Sequence, residues 1–345
     1  MPRVAVVGRP LASHREGMPS RRSTWTRRGL LAAAVPAGAL LATRYTMSNQ
    51  PARSLTSPRA IDRILRPPGL HWVGDGFRVA GYFSAIADAV RKLDPFLMLD
   101  YHPTYAYPPS ERPRGVGVHP HRGFETVTIA FQGSVAHHDS TGAGGIIGPG
   151  DVQWMTAASG ILHKEYHEAA FSRRGGPFQM AQLWVNLPRA HKMAPPRYQP
   201  IVTDQIGVAT LPDGAGTVRV IAGAFDGVRG PAQTFTPIEL FDVRLARGGQ
   251  VELGVPGHHN GAVLVMAGEI AINGAPAKAD DFVLLGQGGD RLDVVASADT
   301  QLLVMAGEPI GEPVVQHGPF VMNTRREIAQ AFDDYQRGAF GHLAD

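Results

Sequence analysis

From residue 71 onward, apolar and polar positions alternate in short runs, and Gly, Pro, Asn and Asp separate the runs. This is the pattern of half-buried strands joined by tight turns. The clearest strands are expected at residues 125–131, 151–155, 182–187 and 218–222. Alternation stops around Lys192-Met193-Ala194-Pro195-Pro196-Arg197, which reads as a linker between two strand-rich halves. The halves echo each other. Residues 261–269 are similar to 126–133, and Asp280-Asp281-Phe282-Val283 to Gly150-Asp151-Val152-Gln153, as expected of a duplicated barrel. Helical spacing is clear only at residues 324–336, where Ile328, Ala331, Phe332 and Tyr335 share a face and Thr324 with Glu327 forms a capping box.

The pattern therefore predicts an all-β chain with a short C-terminal helix. Its expected parts are a leader at 1–50, a linker at 51–69, a first barrel at 70–195, a second at 200–315, and a helix with tail at 316–345. Composition agrees, with 41 Gly and 28 Pro in 345 residues, which suits barrels rich in turns. The absence of cysteine excludes disulfides, thiolate metal sites and Cys nucleophiles, so any metal must be held by His and carboxylate.

Charge divides the chain. Residues 1–59 hold ten Arg and one Glu, whereas the rest carries 23 basic and 29 acidic residues. The body is thus acidic, and no nucleic-acid partner is expected. Thr26-Arg27-Arg28-Gly29-Leu30-Leu31 precedes an apolar run to Ala42 that is interrupted by Pro36. This resembles a twin-arginine export signal, with a run too short for a transmembrane span of about 20 residues. The expected destination is periplasmic or extracellular, with no stable membrane insertion after processing. An upstream extension with Met18 as the true start, and hence a cytoplasmic protein, is the alternative.

His119 and His121 flank Pro120 in an extended segment, and His163 and Glu165 repeat the spacing around Lys164. Residues two apart on a strand face the same way, so two pairs of ligand-type side chains can line one barrel. Spacing alone leaves two readings open: a site for a divalent first-row metal, or ordinary surface histidines. His258 and His259 are adjacent, and on a strand would point to opposite faces. His137 and His138 precede Asp139-Ser140 at a turn and read as polar surface, with one of them facing the barrel as the alternative, and His167 reads as a partly exposed residue. Arg122, Phe124, Gln153 and Met155 are pocket candidates, of which no more than half are expected to reach the site. Gly142 to Gly148 lacks the Lys-Ser/Thr ending of a phosphate loop and reads as a hairpin turn.

The stretch His119-Pro-His-Arg-Gly-Phe-Glu-Thr-Val-Thr128 resembles the first signature of the pirin family. Gly148-Pro-Gly-Asp-Val-Gln-Trp-Met-Thr-Ala157 with Gly160-Ile-Leu-His-Lys-Glu165 is similar to the second. Further similarity lies in His71-Trp-Val-Gly-Asp-Gly-Phe77, Trp184-Val-Asn-Leu-Pro188 and Gly318-Pro-Phe-Val-Met-Asn-Thr324. The resemblance implies two cupin barrels, with metal in the first alone, held by His119, His121, His163 and Glu165. It implies a divalent ion, iron first, with Ni, Cu, Mn and Zn as alternatives. Glu165 is then both ligand and proton acceptor, and Glu125 a neighbouring carboxylate and alternative base. Ala158 departs from the family, which commonly has Gly there.

The implied activity is a dioxygenase acting on a small aromatic substrate, a flavonol such as quercetin or a related diol, with O2. The alternative is a metal- or redox-responsive binding protein that regulates a protein partner without turnover. A monomer is expected. The leader generates a first prediction: replacing Arg27 and Arg28 together by Lys should block translocation. Cell fractionation that finds full-length protein in the cytoplasm with and without the change overturns the export reading.

Overall fold

The computed structural model describes residues 55–344, and the expected leader at 1–50 lies outside the described residues. The strands that matter for the site are β1 (Ile61–Leu65), β2 (His71–Val73), β3 (Phe77–Gly81), β4 (Phe96–Tyr107), β5 (Gly115–His121) and β6 (Phe124–Gln132). They continue with β7 (Val135–Asp139), β8 (Gly144–Ile147), β9 (Val152–Thr156), β10 (Ile161–His167), β11 (Gly176–Asn186) and β12 (Arg197–Ile201).

The first barrel faces a four-stranded sheet, β5-β10-β7-β8, against a seven-stranded sheet, β12-β9-β6-β11-β4-β3-β2. The second half repeats the plan with one sheet of seven strands and one of four. The sequence echo falls on equivalent places. β6 lies between β9 and β11, and Asn260–Ala267 lies between Phe282–Leu285 and Thr300–Gly307.

The central strands of both large sheets are buried on both faces. Leu99, Val127, Ile129, Trp154 and Leu183 of the first form one core with Leu240, Leu264, Phe282, Leu303 and Met305 of the second. The largest apolar cluster thus joins the two barrels. Alternate residues turn inward. In the second barrel these are Val218, Val220, Phe241, Val263, Val283 and Val304, so its interior is an aliphatic core. In the first barrel the inward set includes Thr126, Thr128, Gln153 and His163, all buried.

One stretch read as a linker holds a strand, and the other leads directly into one. Within 51–69, β1 pairs antiparallel with Phe282–Leu285 at the edge of the second barrel's large sheet. Arg59 is buried beside it, donating Nε to the Gly286 carbonyl at 3.0 Å, one Nη to the Pro256 carbonyl at 2.7 Å, and the other to the His259 carbonyl. Beyond the Pro-rich 192–197 stretch, β12 pairs with β9 and extends the first barrel past residue 195. Both are edge strands, where one side needs no ladder and Pro200 is tolerated, so their sequences carry little strand signal. Lys192 is also buried, donating to the Gly123 carbonyl at 2.7 Å, Asn186 Oδ1 at 2.6 Å and the Val321 carbonyl at 3.1 Å.

The C-terminal helix, Arg325–Gln336, is capped by Thr324, whose side chain accepts from the Glu327 N–H. Ile328 and Ala331 pack with Phe320, Phe340 and, from β10, Leu162. The tail thereby returns to the first barrel. Gly160 is needed for the approach, since a Cβ there would meet the Phe340 ring at 2.5 Å and its φ is +130°.

Arg59 tests whether the segment before β1 is structural. Arg59→Ala leaves the Gly286 and His259 carbonyls without their donor, while Pro256 keeps the His259 N–H, and should cost roughly 2–4 kcal/mol. A loss within about 0.5 kcal/mol in denaturant unfolding, the range of a surface change, would return this segment to the role of linker.

Candidate metal centre

β10 is the inner strand on which the site is built. Its His163 lies opposite His119 of β5 and opposite Asp139 of β7, and its Glu165 lies opposite His137. The ring centroids of His119 and His163 are 4.2 Å apart, and that of His121 is 4.8 Å from each. One ligand-type nitrogen from each of these three imidazoles falls within 4.8 Å of the others, and His137, His163 and Glu165 form a second such group. Period-two spacing therefore brings the predicted histidines together, with Glu165 beside His163.

His121 and His163 are prepared as neutral donors. Burial first, then neighbouring imidazoles, holds His121 and His163 well below the usual histidine range. His119 Nδ1 is 2.8 Å from the Gly117 carbonyl, which directs its Nε2 away from the backbone. His121 Nδ1 and His163 Nε2 are buried without a hydrogen-bond partner. Orphaned nitrogens beside a carboxylate are what a divalent ion would satisfy, so the residues present fit one.

His137 was read as surface but is fully buried, because Val135, His137 and Asp139 form the inward set of β7. Its Nε2 is 3.3 Å from Asp139 Oδ2 and its Nδ1 is 3.3 Å from His163 Nδ1. A carboxylate only accepts, so His137 donates from Nε2 and presents a lone pair at Nδ1. His163 then carries its proton on Nδ1 and is left with an Nε2 lone pair, the tautomer a metal ligand needs. The Val-x-His-x-Asp alternation was the signal that could have found His137.

Glu165 accepts from Thr128 Oγ1 at 3.2 Å and from Gln153 Nε2 through one oxygen, and from Gln182 Nε2 at 2.9 Å through the other. Gln153 thus reaches the site, as does Phe124, whose ring lies 5.0 Å from His121. Met155 instead packs with Ala157 and Ile161, and Arg122 turns outward to Asp334 at 2.8 Å. His167, expected to be partly exposed, is buried among Phe77, Tyr107 and Phe178, and burial lowers its pKa to about 4. In the second barrel His258 is exposed, whereas His259 is buried and pairs with Glu239 at 2.7 Å. Ala158, at the departure from the family pattern, has a φ of +40°, a region that favours glycine.

Glu125 is the correction. On β6 it shares a face with Val127 and Ile129, which pack in the core between the barrels, whereas Thr128 faces Glu165. Glu125 therefore points away from the histidines, and accepts from Thr156 Oγ1 at 2.6 Å. It is neither base nor neighbour of the site.

A cavity of about 310 Å³ opens onto His119, His121 and Glu165. Its wall is mainly apolar, with Phe77, Val79, Met98, Met180 and Trp184, and carries Gln182 and Asp100 as further polar groups.

Comparisons with known proteins agree with this fold. The family model described as Pirin matches residues 76–185, and that described as Pirin C-terminal cupin domain matches residues 240–341. A Pseudomonas aeruginosa protein provisionally named quercetin 2,3-dioxygenase is 52% identical over 78% of this chain and 94% of its own. A pirin-like protein of Caulobacter vibrioides is 45% identical over 72% of this chain and 87% of its own. The crystal structure of a quercetin 2,3-dioxygenase from Acinetobacter baumannii superposes with a TM-score of 0.80 at 42% identity, covering 84% of this chain and all of that one (100%). A bacterial pirin from Escherichia coli, solved with nickel(II), shares the fold at a TM-score of 0.53 and 18% identity, over 72% of this chain and 100% of its own.

The position of Glu125 has a measurable consequence. Burial raises its pKa from 4.5 to about 7, against the hydrogen bond from Thr156. A carboxyl with a raised folded pKa favours the fold below its unfolded pKa and loses that contribution as pH rises through about 7. Glu125→Gln should thus match the parent near pH 5 and exceed its stability near pH 8 by roughly 1–3 kcal/mol, with metal content unchanged. Denaturant unfolding at both pH values decides it, and loss of metal in the variant would put Glu125 back at the site.

Proposed function

This chain belongs to the pirin family, and on that premise we propose that it is a metal-dependent dioxygenase that opens flavonols or related aromatic diols with O2. The observation that supports the reading is the convergence of His119, His121 and His163, beside Glu165, at one end of a cavity with an aromatic and aliphatic wall. These four residues would hold the ion, iron first among Fe, Ni, Cu, Mn and Zn. When bound, a divalent ion supplies Lewis acidity, lowering the pKa of a substrate hydroxyl and favouring its electron-rich anion for attack by O2.

The chain's own residues supply the rest. Three neutral imidazoles and one carboxylate leave a divalent site net positive, which favours an anionic oxygen over a neutral one. Glu165 can take the substrate's hydroxyl proton on the oxygen that now accepts from Gln182, while Thr128 and Gln153 hold the other. Phe77, Met98, Met180 and Trp184 exclude water from the ring faces and offer a flat aromatic substrate apolar contact.

The test is oxygen uptake by metal-loaded protein. Quercetin should bleach aerobically with stoichiometric O2 consumption and release of carbon monoxide. Glu165→Gln should slow turnover by roughly 10²-fold, His163→Ala should abolish stoichiometric metal, and His258→Ala should keep both metal and activity. Protein replete with each metal in turn that consumes no O2 with any flavonol or catechol overturns the reading, and the regulatory binding protein takes its place.

A further inference from the structure

The polar groups around Glu165 are not scattered. Gln153 of β9 lies opposite Thr128 of β6, Thr128 opposite Gln182 of β11, and Gln182 opposite Asp100 of β4. Directly opposed residues share a face, so these four side chains form one row across the inner wall of the large sheet. The first three are satisfied through Glu165 and one another: Gln153 and Gln182 also donate to Thr128 Oγ1, at 3.2 and 3.4 Å. The fourth is different. Asp100 lines the cavity together with His119 and His121, and among the described residues it accepts no hydrogen bond.

The surroundings keep it open. Its partner on β3 is Gly81, where a Cβ would stand 3.1 Å from Asp100 Oδ1. A larger residue there would crowd the carboxylate. Burial raises the Asp100 pKa to about 6, with His71 working against the rise, so it is an anionic acceptor at neutral pH. A half-buried carboxylate with unused lone pairs is costly unless something donates to it.

We propose that Asp100 is a second recognition point for the substrate, independent of the metal, which accepts a hydrogen bond from a hydroxyl remote from the oxygens at the histidines. The inference rests on the dioxygenase reading for its substrate class and narrows that class. The favoured ligand is a neutral polyhydroxylated aromatic with one oxygen group at the histidine end and a hydroxyl donor at the Asp100 end. A remote carboxylate or sulfate is rejected by the like charge.

The experiment uses metal-free protein and two probes, quercetin and 3-hydroxyflavone. Both carry the hydroxyl and carbonyl pair suited to a metal, and only quercetin has further hydroxyls. Binding is read by quenching of tryptophan fluorescence, to which Trp184 in the cavity wall contributes. The parent protein should prefer quercetin by roughly tenfold to a hundredfold, the range of a hydrogen bond to a charged group. Asp100→Asn and Asp100→Ala should cut that preference to about threefold or less, by weakening quercetin while leaving 3-hydroxyflavone unmoved.

A preference that survives in both variants overturns the proposal, as does an equal loss for both probes. Metal-free parent protein that binds neither probe also overturns it, and leaves the dioxygenase reading to be judged by oxygen uptake alone.

Discussion

The first barrel depends on keeping one buried carboxylate satisfied. Glu165 is almost fully removed from solvent, and an isolated carboxylate there would cost several kcal/mol. Thr128, Gln153 and Gln182 offset that cost, and they come from three adjacent strands of the facing sheet. The bonds cross the barrel and tie β10 to β6, β9 and β11. They also fix the height at which His163 stands, two residues back along the same strand. Position of the ligands and closure of the barrel are therefore one constraint.

The second barrel shows what the same plan becomes without that constraint. Its strands alternate in the same way, but the inward positions are Val218, Val220, Phe241, Val263 and Val283. Side chains of this kind satisfy themselves by contact and need no partner across the barrel. Both large sheets then give their other faces to a shared core, in which Leu183 and Val127 meet Leu264 and Leu303. The site-bearing barrel thus leans on the larger apolar cluster outside it. That division allows its own interior to hold threonine, glutamine and histidine.

This arrangement also explains what could be read from the sequence. The clustered histidines and Glu165 were legible because His119-x-His121 and His163-x-Glu165 keep the period of a strand, and the parity within each pair needs no knowledge of which face is inner. Glu125 was not legible for the opposite reason. β6 is buried on both faces from Phe124 to Phe131, so hydrophobicity does not reveal which way an isolated carboxylate points. His137 was hidden by its neighbour His138, since one of an adjacent pair faces inward and only the parity with Val135 and Asp139 tells which. β1 and β12 were missed because edge strands tolerate the Arg and Pro that suggest a linker. The Asp100 row required cross-strand register, which alternation along one strand does not contain.

The outward residues of the ligand strands have their own task. Arg122, next to His121, donates to the Ser159 carbonyl and Asp334 and lies 4.6 Å from the Phe340 ring. Leu162, next to His163, packs against the C-terminal cluster, and Lys164, between His163 and Glu165, reaches the Ala344 carbonyl at 2.7 Å. His121, His163 and Glu165 are thus each adjacent to an outward residue held by the last 25 or so residues of the chain, a consequence of the two-residue period. Sliding β5 or β10 by one position would turn that strand's inward residues out and its tail contacts in, so the tail selects the same register that places the histidines and Glu165 inside. Contacts on the outer face of the barrel therefore help to specify the chemistry on its inner face.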